Sequence, residues 1–271
     1  MATTTTTPAA LPADIRLMNA TALALGGVGV ALLVALALVW LTRLPLFAVK
    51  SIRIDGDIAH NSELTIRANA TPKLSGNFFT LDLAAGRRAF ESVPWVRQAV
   101  VSRVWPNRLR VQLEEHRPVA LWVNSNSAEE ATDKLVNSFG EVFEANLGDV
   151  EDEALPTLRG PQGTSARMLA MLARLQPEVV PMDASIETLE LSGRGSWRVE
   201  FDSGAEIELG RGDDDTVVAR VRTFVGTLPE VTQRYPQHPL LSADLRHNGG
   251  YAVRLEGITT AVEASTKPSK K

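Results

Sequence analysis

Residues 94–117 read PWVRQAVVSRVWPNRLRVQLEEHR, and this stretch decides the fold of the first half of the chain. Two segments of strand-forming residues flank Pro106 and Asn107, a pair that favours a chain reversal. The second segment alternates strictly, with Leu109, Val111 and Leu113 on its apolar side. Such alternation is typical of a strand with one buried face. We therefore predict strands over 95–104 and 108–114.

The residues upstream predict one strand and two helices. A strand over 47–56 ends at a glycine, and Asn61 begins a short helix that runs to Ala70 and is stopped by Pro72. Asp82 is placed to cap a second helix, which ends at Pro94. The order strand, helix, helix, strand, strand over about 70 residues has the size of one small domain.

A long apolar stretch near the amino terminus predicts a membrane anchor. Between Arg16 and Arg43 lie 26 uncharged residues, more than the roughly 20 that a helix needs to cross a bilayer. A cleaved signal peptide, with an apolar core of about 7–15 residues, fits less well, as does a buried soluble helix. We predict a transmembrane helix over 17–42 behind a short head, 1–16. The charges on its two sides do not decide its orientation.

The second half of the chain, 118–256, predicts a β domain with two helices. Alternating residues indicate a hairpin near 134–143 and strands over 186–191, 197–201 and 205–209. Apolar residues at helical spacing indicate the two helices, with Met168, Met171, Leu172 and Leu175 in the first and Val217, Val218, Val221, Val225 and Leu228 in the second. We interpret the methionines as core residues, and the run Asp213-Asp214-Asp215 as a helix start rather than a metal site.

The last predicted element is a hairpin. Asn248 and Gly249 suit a tight turn with positive φ. Both arms alternate, with Leu241, Ala243 and Leu245 before the turn and Tyr251, Val253 and Leu255 after it. Because the second arm ends the folded part of the chain, it is a candidate free sheet edge to which an extended partner segment can add by main-chain hydrogen bonds. An edge that is covered or blunted by charge is the alternative interpretation.

Composition argues against several classes of chemistry. The 271 residues contain no cysteine and four histidines, none at metal-ligating spacing, and they contain no nucleotide-binding glycine loop or nucleophile elbow. We therefore expect no catalytic residue, no metal and no cofactor. The net charge of −4 is unevenly distributed, with +4 over 47–117 and −11 over 118–256. The two halves thus present different charges to their partners.

Several short motifs together resemble a known family. The segments IRIDG (52–56), NFFTLD (77–82), PWV (94–96) and RVWPNRLRV (103–111), in this order behind one transmembrane segment, are similar to a POTRA domain of the FtsQ/DivIB family. The segments LPTLRGP (155–161), RGSW (194–197), LGRGD (209–213) and DLR (244–246) resemble the β domain of that family. The resemblance covers about 20–256.

The resemblance implies a fold and a location. The fold class is α+β: one transmembrane helix, a POTRA domain of order β-α-α-β-β over 47–117, and a mixed β domain over 118–256 with an antiparallel sheet and two helices. Residues 1–16 are then a cytoplasmic head and 257–271 a disordered tail. For 2–12 and 261–271, a composition rich in Thr, Pro, Ala and Lys itself predicts disorder. The location implied is the bacterial inner membrane, as a single-pass type II protein with its bulk in the periplasm at the division septum.

The resemblance also implies partners. Members of the family are division scaffolds rather than enzymes, and their closing strand docks the FtsB subunit of the FtsB–FtsL pair. The POTRA domain and membrane segment are tied to FtsK and to recruitment of other division proteins, with no nucleic acid or small-molecule substrate. Carried over by motif, the residues expected to contact the partner strand are Arg194, Arg246, His247, Gly250, Tyr251, Ala252, Val253, Arg254 and Leu255.

Two positions depart from the family pattern. His247 stands where well-known members have tyrosine, and Leu255 stands where they have tryptophan. Main-chain pairing of the terminal strand does not depend on these two side chains.

The competing hypothesis is a membrane-anchored cell-wall hydrolase whose carboxylates are brought together by folding. Glu114 and Glu115 cannot form such a pair, because adjacent strand residues point to opposite faces. A deep pocket with two converging acids and displaced pKa values would favour the hydrolase. A shallow surface that ends in an uncovered strand would favour the binding protein.

Overall fold

A computed structural model describes residues 13–42, 44–60, 77–125, 134–247 and 249–258, with 64, 66, 68 and 72 as isolated positions. The chain divides into two compact units, 1–114 and 115–271. The head and the tail that we predict to be disordered lie almost wholly outside the described residues. Most of the helix predicted from Asn61 to Ala70 also lies outside them.

The first element is the apolar helix α1, Ala13–Thr42. At 1.5 Å per residue its 30 residues extend about 45 Å, which matches a bilayer with its headgroup layers. Its leucine and valine side chains are exposed over the whole length of the helix rather than buried in a protein core. The helix therefore fits a single-pass membrane anchor.

The first unit contains a three-stranded sheet in the order β1-β3-β2 and one described helix beside it. The elements are β1 Ser51–Asp57, α2 Leu83–Glu91, β2 Val96–Val104 and β3 Arg108–Glu115. β1 pairs with β3 in parallel, from Ser51 opposite Arg108 to Asp57 opposite Glu114. The strands predicted around Pro106 and Asn107 are confirmed. β1 begins later than predicted because residues Pro45–Phe47 form a short 3-10 turn.

Local sequence signals explain these elements. The Asp82 carboxylate accepts hydrogen bonds from the amides of Ala84 and Ala85, so it caps α2 as predicted. Alternate residues of β3 are buried, and two of them, Val111 and Leu113, pack with Phe90 of α2 into the core of this unit. That alternation was the signal that predicted the strand.

The second unit is built on a nine-stranded sheet in the order β12-β11-β10-β9-β8-β7-β4-β5-β6. The strands are β4 Pro118–Asn124, β5 Lys134–Asn137, β6 Val142–Glu144, β7 Thr157–Gly160, β8 Ile186–Leu191, β9 Trp197–Phe201, β10 Glu206–Gly210, β11 Leu240–Asp244 and β12 Ala252–Leu255. The helices are α3 Ser165–Val179 and α4 Asp214–Thr232. The predicted fold class, α+β with a β domain carrying two helices, is confirmed.

The sheet, which was predicted to be antiparallel, is mixed in strand direction. β4 with β7, β7 with β8, and β10 with β11 are parallel pairs, and the other neighbours are antiparallel. α3 connects β7 to β8, and α4 connects β10 to β11. A crossover of this length is what parallel neighbours require, so the two helices account for two of the parallel pairs.

Both helices pack against the sheet, and charged side chains join them to each other. The four methionine and leucine residues predicted on one face of α3 are buried in the core. Asp213 caps α4 by accepting from the Thr216 amide. Asp214 and Asp215 instead pair with Arg167 and Arg174 of α3, with N–O distances of 2.7 and 2.5 Å. The predicted helix-capping role of this acidic run is therefore confirmed for Asp213.

Candidate functional site

The strand β12 forms one edge of the nine-stranded sheet. It pairs antiparallel with β11, from Leu240 opposite Leu255 to Asp244 opposite Ala252, with a bulge at Leu241. No other strand among the described residues lies on its far side. The predicted terminal hairpin is thus confirmed, and its second arm is an edge strand with unpaired main-chain groups.

The main-chain groups that face outward from β12 can be identified from one hydrogen bond. The amide of Glu256 donates to the carbonyl of Pro239 at 2.9 Å. Successive residues of an antiparallel strand alternate between facing the neighbour and facing away. The N–H and C=O groups of Arg254 and Ala252 therefore face β11, and those of Val253 and Leu255 face away from it. These outward groups are positioned to accept an added strand.

The side chains of β12 divide between the two faces of the sheet. Leu255 is buried, and Val253 packs partly against the core that α3 and α4 cover. Ala252 and Arg254 are exposed on the opposite face. An added strand would therefore meet helices on one face and a charged, open surface on the other.

Tyr251 and the last turn of the hairpin are held against α4. The Tyr251 hydroxyl lies 2.8 Å from Oγ1 of Thr227, and its ring meets the Phe224 ring edge to face, with 5.0 Å between centroids. Tyr251 is consequently a half-buried side chain with a fixed orientation. It forms part of the wall that an added strand would meet.

A groove opens between α4 and the turn that precedes β12. Its volume is about 650 Å³, within the range of ligand pockets. The lining is mainly apolar and small, and comprises Thr216, Ala219, Arg220, Thr223, Phe224, Thr227, Leu245, His247, Gly249, Gly250 and Tyr251. No carboxylate is among these described lining residues. The groove suits an apolar side chain.

Arg246 and His247 follow β11 and lie beside Asp244. Arg246 binds both carboxylate oxygens of Asp244, with Nε–Oδ1 at 2.9 Å and Nη2–Oδ2 at 2.6 Å. The hydrogen bond from the Arg246 side chain lowers the pKa of Asp244 to about 2, and a second hydrogen bond from the Arg246 amide contributes. His247 Nε2 lies 3.9 Å from the same carboxylate. Arg246 therefore has a partner within the chain before any other protein binds.

A glycine makes room for Arg246 at the end of β10. Gly210 has φ +79°, and a Cβ there would lie 2.8 Å from Cγ of Arg246. Arg220 of α4 holds this turn by donating to the carbonyls of Leu209 and Arg211, at 3.0 and 2.7 Å. The Arg246 side chain thus packs against the turn at Gly210, which Arg220 holds in place.

Breaking this pair should change the titration of Asp244. We expect Arg246→Ala to raise the pKa of Asp244 from about 2 towards 3.8, with a smaller rise for Arg246→Lys, which keeps the charge but loses the two-point hydrogen bond. A lowered pKa stabilises the folded state above the ordinary pKa of aspartate, and this contribution is lost as the pH falls from about 4 to about 2. Carboxyl ¹³C chemical shifts measure the titration directly. Equal pKa values in the wild type and Arg246→Ala would contradict the pairing.

Arg194 lies apart from the other predicted residues. It occupies the exposed turn between β8 and β9, at the same end of the sheet as Gly210 and Ala252. β9 is three strands away from β12, which corresponds to about 14 Å across the sheet. The fold therefore brings Gly250 to Leu255 together with Arg246 and His247, and it places Arg194 away from them.

The open face of the sheet carries a second, polar cavity of about 270 Å³. Glu190, Glu200 and Glu206 line it with Arg159, Thr188 and Arg198. Arg198 is paired with Glu208, a hydrogen bond that raises the pKa of the guanidinium. The carboxyls whose pKa values are lowered, Asp82, Glu178, Asp213 and Asp244, lie outside this cavity. The described residues include no group of three or more acids or histidines able to hold a metal.

The site contains residues that the sequence analysis did not identify. Asp244 is one of them, although side chains two residues apart on a strand share a face and so predict its contact with Arg246. The others are Ala219, Thr223 and Thr227, which lie on one side of α4 and line the groove. Their spacing of four residues is a helical signal, but small polar residues on a helix normally indicate only solvent exposure.

Comparison with known proteins assigns both units to described families. The description "Cell division protein FtsQ/DivIB, C-terminal" matches residues 120–246, and "POTRA domain, FtsQ-type" matches residues 47–116. The first match ends at residue 246, before β12, so it does not include the edge strand.

Whole-chain relatives extend these matches. Cell division protein FtsQ of Thiomonas arsenitoxydans is 40% identical over 93% of this chain and 91% of its own length. The FtsQ proteins of Burkholderia pseudomallei and Bordetella pertussis are 40% and 35% identical, over 90% and 95% of this chain and 94% and 98% of their own lengths.

Proposed function

The chain belongs to the FtsQ/DivIB family of cell division proteins, and we propose on this basis that it is a scaffold that captures the FtsB–FtsL pair by adding a strand of FtsB to β12. The observation that carries the proposal is the position of β12 at the end of the sheet, with the main-chain groups of Val253 and Leu255 facing away from β11. Main-chain pairing gives such complexes their affinity, and flanking pockets give them specificity.

The surroundings of β12 support a binding function rather than catalysis. The groove beside α4 provides an apolar pocket for one partner side chain, next to the fixed ring of Tyr251. On the opposite face, Arg254 is exposed and Arg246 is only half covered by its pairing with Asp244. An acidic partner residue at this end of the sheet would be attracted to Arg246 and Arg194, and such a pair contributes more where water is excluded.

The remaining proposals concern location and other partners. α1 anchors the protein once in the inner membrane, with residues 1–16 in the cytoplasm and both folded units in the periplasm at the septum. The domains extend over 47–117 and 118–256, and the POTRA domain with α1 serves FtsK and other division proteins. The length and composition of α1 and the cell-division family support this arrangement.

Hydrogen exchange tests the proposed strand addition at single residues. In the free full-length chain in nanodiscs, the amides of Val253 and Leu255 should exchange faster than those of Ala252 and Arg254, which face β11. Saturating FtsB–FtsL should slow exchange at Val253 and Leu255 strongly and change the other two little. The amides of β6, the opposite edge of the sheet, provide the control. Unchanged exchange at Val253 and Leu255 in the bound state would exclude pairing at β12.

A further inference from the structure

We propose that the POTRA unit binds the surface of the bilayer that α1 spans, through three exposed apolar side chains, Leu46, Phe79 and Trp105. These side chains contact the headgroup layer of the membrane, and the surface that carries them favours anionic phospholipids. This proposal rests on the proposed anchoring by α1. It adds a second membrane contact, made by the folded unit itself.

Hydrogen bonds bring three chain segments together at the end of α1. Asn77 Nδ2 donates to the carbonyl of Thr42, the last residue of α1, at 2.5 Å. The Phe78 amide donates to the carbonyl of Phe47 at 2.9 Å, and the Lys50 amide donates to the carbonyl of Asn107 at 3.0 Å. The linker after α1, the 77–81 loop and the β2–β3 turn are therefore held at one end of the unit.

The side chain of Arg103 and an aromatic contact fix the loop further. The Arg103 guanidinium donates to the carbonyls of Phe78 and Leu81, at 2.6 and 2.7 Å. The rings of Phe47 and Phe79 meet edge to face with 4.9 Å between centroids. The loop that carries Phe79 is thus ordered beside the residues that leave the membrane helix.

This end of the unit exposes large apolar side chains. Trp105 is 76% exposed, Leu46 64% and Phe79 47%. Outside α1, the only other large apolar side chains exposed in the described part of the first unit are Leu64 and Val100. Tryptophan and phenylalanine bury well in cores, and tryptophan is enriched where a protein meets the bilayer interface. Their concentration beside the end of α1 indicates a contact with lipid.

The dimensions of α1 place Phe79 at headgroup depth. The 26 uncharged residues before Arg43 extend about 39 Å as a helix, against about 30 Å for the hydrocarbon core and about 40–45 Å with the headgroups. Thr42 therefore lies within the headgroup layer. Asn77 touches Thr42, and Phe79 is only two residues further, which is at most about 7 Å.

Charge on this surface matches anionic lipids. Lys50 and Arg108 are exposed. The Lys50 amide bonds to Asn107, which joins the linker to the β2–β3 turn, and Arg108 follows Asn107 in sequence. Basic residues close to an anionic membrane surface are attracted to it. The combination of interfacial aromatic residues and flanking basic residues is the pattern by which proteins lie on a bilayer.

Single labels can test the contact because the chain contains no cysteine. The full-length chain is reconstituted in nanodiscs containing phosphatidylglycerol and labelled with an environment-sensitive fluorophore at Leu46→Cys or Phe79→Cys. Val100→Cys, exposed on the same unit but outside the cluster, is the matched control, and Val28→Cys within α1 reports the anchor. We expect blue-shifted emission and several-fold weaker iodide quenching at positions 46 and 79 than at 100. Adding Trp105→Ser should increase quenching at position 46.

The outcomes separate this contact from the anchor. Labels at 46 and 79 that are quenched as strongly as at 100, with position 28 protected, would overturn the contact and leave the anchor intact. A label at position 28 that iodide quenches freely would overturn both. For lipid preference the quencher is uncharged acrylamide, because an anionic bilayer itself repels iodide. Protection at 46 from acrylamide that is weaker in purely zwitterionic nanodiscs supports the preference for anionic lipid, and equal protection would overturn that preference.

Discussion

Trp197→Ala is expected to destabilise the second unit by about 3–5 kcal/mol, a large part of the stability of an ordinary domain. Trp197 is fully buried on β9 in the centre of the sheet, beneath the guanidinium of Arg167, which lies 5.5 Å from the ring centroid. Alanine would leave a cavity that the surrounding sheet and helices cannot fill. Because β9 pairs with both β8 and β10, the loss should extend across the centre of the sheet.

Trp197→Phe separates the packing of the ring from its polar atom. The indole Nε1 is buried and has no hydrogen-bond acceptor among the described residues, and an unsatisfied buried donor costs about 1–3 kcal/mol. Phenylalanine removes that N–H and retains most of the apolar contact, so it should cost much less than alanine. Hydrogen exchange of the β8, β9 and β10 amides in the full-length chain measures both changes. Equal losses for the two variants would contradict this expectation, because a phenyl ring that keeps most of the apolar contact would then stabilise the sheet no more than a methyl group does.

The local elements of the fold were predictable from the sequence. The turn at Pro106 and Asn107, the alternation of Leu109 with its neighbours, and the turn at Gly249 are signals carried by adjacent residues. The same holds for the caps Asp82 and Asp213, since a cap bonds to amides two or three residues away. The turn at Pro106 and Asn107, the alternation of β3 and the two caps are confirmed. Of the turn predicted at Asn248 and Gly249, Gly249 has the expected positive φ, +82°, Asn248 lies outside the described residues, and the arms end at Asp244 and Ala252.

The order of strands was not predictable, because it depends on contacts between distant segments. β4 lies between β7 and β5, and β11 joins the sheet in parallel beside β10. Nothing in the strand sequences themselves distinguishes a parallel from an antiparallel neighbour when only one residue in two is buried. The helical crossovers α3 and α4 contained this information, since a helix between two adjacent strands favours a parallel pair.

The candidate site, like the fold, was predictable only in its local elements. The terminal hairpin identified β12, but the groove beside it depends on α4 packing against Tyr251, a contact between residues 224–227 and 251. The ion pair between Arg246 and Asp244 also changes the expectation that Arg246 is free to contact a partner. A partner carboxylate must compete with Asp244 or bind the exposed side of the same guanidinium.

Val253→Pro should weaken capture of FtsB–FtsL by about 30–150-fold, the equivalent of two or three main-chain hydrogen bonds at about 1 kcal/mol each. The Val253 amide faces away from β11, so proline removes a donor that the hairpin itself does not use. Its ring also prevents close approach of an added strand. An edge strand tolerates proline at a position whose nitrogen faces away from the neighbouring strand. The measurement is the affinity of the full-length chain in nanodiscs for purified FtsB–FtsL.

Val253→Ala is the matched control for this variant. It removes the side chain that packs partly against the core but keeps the amide, so its affinity should stay within a few-fold of wild type. Hydrogen exchange at Ala252 and Arg254 reports whether the hairpin remains paired in both variants. If the proline and alanine variants bind equally well while the hairpin stays paired, then FtsB does not add to β12. The outward main-chain groups of this edge would then require another explanation than strand capture.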